Sequence, residues 1–111
     1  MNSDADLPRG AVTVIFTSRR AADTSGYEAM SARMETLARE QPGYLGITSV
    51  RDANAGLGIT VSYWADEDAA KAWKRVHEHQ EAQRIGKERW YSEYRVDVCE
   101  VIRSYSYRSG Q

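Results

Sequence analysis

The stretch YLGITSVRDANAGLGITVSYW, Tyr44–Trp64, decides the fold. Two β-branched runs, YLGITSVRD (44–52) and GLGITVSYW (56–64), flank ANAG (53–56), a turn rich in Asn, Ala and Gly. Extended runs on either side of such a turn are the signature of an antiparallel hairpin. Alternation in the second run puts Ile59, Val61 and Tyr63 on one face and Thr60, Ser62 and Trp64 on the other.

Upstream of the hairpin, AVTVIFTS, Ala11–Ser18, is β-branched and aromatic without helix formers, which predicts a strand buried on both faces. Between the two, TSGYEAMSARMETLARE (24–40) carries Ser25 and Glu28 at capping-box spacing, and Tyr27, Met30, Met34 and Leu37 recur on one helical face. This is an amphipathic helix that QPG, Gln41–Gly43, closes. The methionines at that spacing read as core filling rather than as a binding groove.

Downstream, Asp66, Glu67 and Asp68 suit a helix N-terminus, and Ala69, Trp73, Val76, Gln80 and Gln83 continue at helical spacing until Gly86. WYSEYRVDVCEVIRSYSY (90–107) then alternates as a long strand, with Tyr94, Val96 and Val98 opposite Arg95, Asp97, Cys99 and Val101. The order is βαββαβ: an α+β, ferredoxin-like unit with an antiparallel sheet and both helices on one face. Two helices cover one sheet face only, yet the strands carry apolar and aromatic residues on both. A second copy packed sheet to sheet covers the other, which predicts a two-fold homodimer.

The chain has 111 residues and is 41% hydrophobic, enough for one core. One domain over 10–108 is expected, with flexible ends at 1–9 and 109–111. A net charge of −1 offers no attraction to phosphate backbones or anionic lipid, so nucleic acid and membrane are poor partners. The start MNSDADLPRG has acids where a secretory leader needs basic residues, and no apolar run approaches the roughly 18 residues of a membrane span; a cytoplasmic location is expected. Cys99 is the single cysteine and reads as a small buried strand residue rather than a reactive thiol.

The two histidines, His77 and His79, suggest a metal pair. Residues two apart on a helix point about 200° apart, so the imidazoles cannot share an ion, and no Cys or third His completes a set. No glycine-rich phosphate loop opens a helix, because ANAGLG joins two strands. Neither a metal nor a nucleotide or flavin cofactor is expected. His79 follows Trp73 by six residues and Val76 by three, which points to it as the imidazole nearer the apolar face and the candidate proton carrier. Phe16, Tyr63, Trp64, Trp73 and Tyr91 are candidates to line a pocket for a flat apolar ligand, against the plainer reading of each as core.

GYLGITSVRD and GITVSYWADEDAAKAWKRVHEHQEAQRIGKERWYSEYRVDVCEVIRSYSY resemble the antibiotic biosynthesis monooxygenase family of dimeric α+β barrel proteins from about Val12 to Tyr107. Trp64, Trp73, His79, Ala82, Gln83, Gly86, Trp90, Tyr91 and Arg103 carry the resemblance. It implies a dimer whose sheets form a barrel, with each cleft between the sheet and helices of one subunit. Family members include cofactor-free oxygenases of polycyclic phenols, quinol oxidases and haem-degrading enzymes. This chain has Ser18 and Gln83 where the haem branch has an Asn and its ligating His, which turns the expectation away from haem. The resulting expectation is a cofactor-independent monooxygenase of a phenolic, quinol or polycyclic aromatic molecule. His79 would be its base, Trp64 and Trp73 its apolar walls, Tyr63 or Tyr91 its polar partners. The rival is a non-catalytic small-molecule-binding or stress-associated barrel with the same cleft.

Overall fold

In the computed structural model, residues 6–20, 27–52, 54, 56–82 and 91–110 are described. Ser25, Gln83, Gly86 and Trp90 lie outside them, as do the side chains of Tyr27, Gln80 and Ala82. The elements follow the expected βαββαβ order: β1 Val12–Arg20, α1 Tyr27–Arg39, β2 Tyr44–Arg51, β3 Leu57–Trp64, α2 Glu67–Ala82 and β4 Tyr91–Glu100. The four strands form one antiparallel sheet in the order β2-β3-β1-β4. No helix among the described residues is long and apolar enough to cross a membrane.

Local chemistry accounts for the element boundaries. At the hairpin, Asp52 and Gly56 close the turn through Gly56 N–H to Asp52 O at 2.9 Å and Asp52 N–H to Leu57 O at 2.8 Å. The Asp52 carboxylate also accepts from Asn54 N–H at 2.9 Å, the side-chain turn this residue type favours. Asp66 caps α2 by accepting from Ala69 N–H at 2.8 Å. After α1, Gly43 takes a φ of 82°, and an added Cβ would lie 2.6 Å from the Ala69 Cβ, so the loop and the first turn of α2 approach as closely as a glycine permits.

Register aligns three rows of side chains on the helix-facing side of the sheet. They run Ile47–Ser62–Val14–Val98, Ser49–Thr60–Phe16–Val96 and Arg51–Gly58–Ser18–Tyr94 across β2, β3, β1 and β4. Met30, Met34 and Ala38 from α1 and Ala70 and Trp73 from α2 close the core with Val12, Ile47 and Trp64. The opposite face carries Ile15, Val61 and Tyr63, half-buried, with Ile59 and Val50 exposed; Val50 is 65% exposed.

Three expectations need correction. The first strand is not buried on both faces: Thr13, Ile15 and Thr17 are only half-buried, because no described element of the chain lies over that side. Cys99 is exposed rather than buried, for the same reason, on a strand that forms the sheet edge. The final strand also stops at Glu100, and Val101 continues alongside the N-terminal segment through Val101 N–H to Ala11 O at 2.7 Å and Gly10 N–H to Val101 O at 3.1 Å.

Candidate active site

A cavity of about 680 Å³ lies between the sheet and the two helices. Its floor is divided along the strand order. The β1–β4 half is apolar, with Val14, Phe16, Val96 and Val98, while the β2–β3 half carries the hydroxyls of Ser49, Thr60 and Ser62. Its roof consists of Met30 and Met34 from α1 and Ala70, Trp73 and His77 from α2. Charged residues of α2, among them Glu67, Lys71, Lys74 and Glu78, stand at the mouth, where Lys71 pairs with Glu67 at 3.2 Å.

Phe16 is the hub of the aromatic wall. Its ring stacks on Tyr94 at 5.2 Å between centroids, meets Tyr91 edge-on at 5.4 Å and lies 5.7 Å from the His77 imidazole. Trp73 meets His77 edge-on at 6.1 Å. The imidazole therefore contacts two aromatic side chains at the edge of an apolar chamber, where a planar aromatic ring would find matching surface.

The structure places His77, not His79, in this cavity. His77 follows Trp73 by four residues and so lies about 40° from it around the helix; His79 follows by six and lies about 120° away. His79 is accordingly exposed and absent from the lining. Apolar spacing from Val76 pointed the wrong way because the buried stripe runs through Ala70 and Trp73 rather than through Ala69 and Val76.

Phe16, Trp73 and Tyr91 line the cavity as expected, but Trp64 and Tyr63 do not. Trp64 is 0% exposed, stacked behind Trp73 at 5.5 Å and edge-on to Tyr44 at 5.9 Å. Its indole N–H donates to Ser62 Oγ at 2.9 Å, so its one polar group is committed inside the core. Tyr63 points to the face away from the helices, as alternation with Trp64 requires. Tyr94, Ser49 and Thr60 are lining residues that the sequence had not singled out as a site; Ser49 and Thr60 share a cross-strand hydrogen bond of 2.8 Å. No cluster of three or more His, Cys, Asp or Glu that could hold a metal occurs among the described residues.

The profile of a family described as antibiotic biosynthesis monooxygenase matches residues 13–85. An uncharacterized protein of Bacillus subtilis, YqjZ, is 47% identical over 90 residues, covering 81% of this chain and 78% of its own. Among solved structures, Rv0793 from Mycobacterium tuberculosis superposes with a TM-score of 0.72 at 18% identity, over 86% of this chain and 99% of the other. SnoaB from Streptomyces nogalater, a cofactor-independent oxygenase crystallised as a point mutant, gives a TM-score of 0.69 at 14% identity, over 85% and 95% of the two chains. Likeness at these identities shows a shared fold.

Proposed function

The chain belongs to the antibiotic biosynthesis monooxygenase family, and from that premise we propose that it oxidises a phenolic, quinol or polycyclic aromatic small molecule with O₂, without a metal or flavin, as a homodimer. The observation that carries the reading is an imidazole, His77, set against the aromatic wall of an apolar cavity wide enough for fused rings. The name of SnoaB supports the same class of reaction.

The chemistry asks little of the protein. His77 accepts the phenolic proton, and the phenolate passes one electron to O₂. The phenoxyl radical and superoxide combine at a ring carbon, and His77 returns its proton to the peroxide oxygen. Loss of the ring C–H proton with expulsion of hydroxide yields a quinone and water, so one oxygen atom of O₂ enters the product. Phe16, Trp73 and Tyr94 hold the ring and exclude water that would solvate the phenolate and slow electron transfer. Tyr91 contributes its ring to the same wall.

The homodimer rests on the uncovered sheet face, where Ile15, Val61 and Tyr63 are only half-buried and Val50 and Ile59 are exposed. The test of function is oxygen uptake with a panel of polycyclic phenols and hydroquinones, followed by mass analysis of the product made under ¹⁸O₂. Uptake with one labelled atom in the product is expected. Saturable ligand binding with no oxygen uptake would replace this reading with that of a non-catalytic binding protein.

A further inference from the structure

A second recess, of about 350 Å³, lies between α1 and the β2–β3 edge of the sheet. Ser31, Glu35, Ser49 and Thr60 line both it and the main cavity, so the two adjoin at these residues. Its character is different. Where the main chamber is walled by Phe16, Tyr94 and valines, this end is lined by the guanidinium-bearing Arg20 and Arg51.

Arg51 is held in place by its surroundings. Nη1 donates to Gly56 O at 2.9 Å and Nη2 to Ser18 Oγ at 3.2 Å, and Ser18 is itself 2% exposed. The guanidinium lies flat against Gly58, where any added Cβ would strike it. Gly58 does not adopt a positive φ, so its missing side chain serves this close approach rather than a turn. Because Arg51 reaches across β3 to Ser18, its charge sits beside the residue two positions along β1 from Phe16, a rise of about 7 Å along the strand. That is the span of one to two fused rings. Two carboxylates border the recess: Glu28 is exposed, and Glu35 bridges to Arg39 at 3.1 Å.

We propose that the Arg20–Arg51 recess is a carboxylate subsite, and that the molecule bound in the cavity is an aromatic acid whose ring lies against the wall formed by Phe16 and His77 while its carboxylate meets Arg51. The inference rests on the cavity being an aromatic-binding site, as proposed above, and adds the anionic substituent and its orientation. A guanidinium fork held by two hydrogen bonds presents a planar set of donors that matches a carboxylate better than any neutral group.

The test compares 6-hydroxy-2-naphthoic acid with its neutral amide, 6-hydroxy-2-naphthamide, by fluorescence titration of the full-length protein. Wild type should bind the acid about tenfold more tightly, the lower end of what a charge-assisted hydrogen bond contributes at a partly open site. In Arg51→Gln the ratio should fall close to one. Gly58→Ala, which keeps the charge but displaces the guanidinium, should lose most of the preference too, and Arg20→Gln part of it; these two variants carry the test if Arg51→Gln does not fold. Equal binding of acid and amide by wild type, or a preference that survives in all the variants that fold, overturns the subsite while leaving the aromatic site intact. Binding of neither probe overturns both.

Discussion

His77 faces Phe16 across the cavity wall at 5.7 Å between ring centroids, whereas His79, two residues on along the same helix, is exposed and outside the lining. Helical geometry makes the two imidazoles mutually exclusive as partners for one ligand, and the position of Trp73 decides which of them is inside. The division of labour along α2 leads to expectations that separate site residues from core residues.

Trp64 belongs to the core. Trp64→Phe removes the bond to Ser62 Oγ and leaves that hydroxyl buried without its donor, with an expected cost of about 1–3 kcal/mol. Thermal unfolding should show a fall of several degrees, while the dissociation constant for a naphthol probe should stay within about twofold of wild type. A tenfold loss of affinity at unchanged melting temperature would mean that Trp64 contacts the ligand.

Gly43 joins the two layers of the fold. Gly43→Ala places a Cβ where φ is 82° and where the Ala69 side chain already stands, so both backbone strain and overpacking oppose it. The expected destabilisation is about 2 kcal/mol or more by urea unfolding, with an unchanged m-value. A variant as stable as wild type would show that the loop and α2 separate easily.

The uncovered sheet face predicts self-association. Sedimentation at micromolar concentration should give about twice the 12.5 kDa chain mass. The double substitution Val50→Lys and Ile59→Lys places two charges on that face, at positions exposed within the chain, and should shift the equilibrium to monomer. A wild-type protein that sediments as a folded monomer contradicts the barrel arrangement.

Most of the fold was legible in the sequence because its signals are local. The ANAG turn, the Asp66 cap and the alternation of β3 and β4 each fix a boundary or a face without reference to distant residues. The same alternation already separates Tyr63 from Trp64, so a cleft lined by both was excluded by that pattern alone. The identity of the inward-facing histidine was also available, in its four-residue spacing from Trp73. What the sequence could not convey is depth: Trp64 is sealed by Trp73 and Tyr44, and Arg51 reaches over Gly58 to Ser18, only because strands and helices remote in sequence meet there.

The central claim is tested most directly by oxygen-electrode rates for wild type, His77→Ala and His79→Ala with a polycyclic phenol or hydroquinone, each protein first shown to be folded. A positioned general base contributes about 10² to 10⁴ in rate, so His77→Ala should lose activity on that scale while His79→Ala retains most of it. Retention of full activity without His77, or an equal loss in both variants, would contradict the placement of the reaction in this cavity.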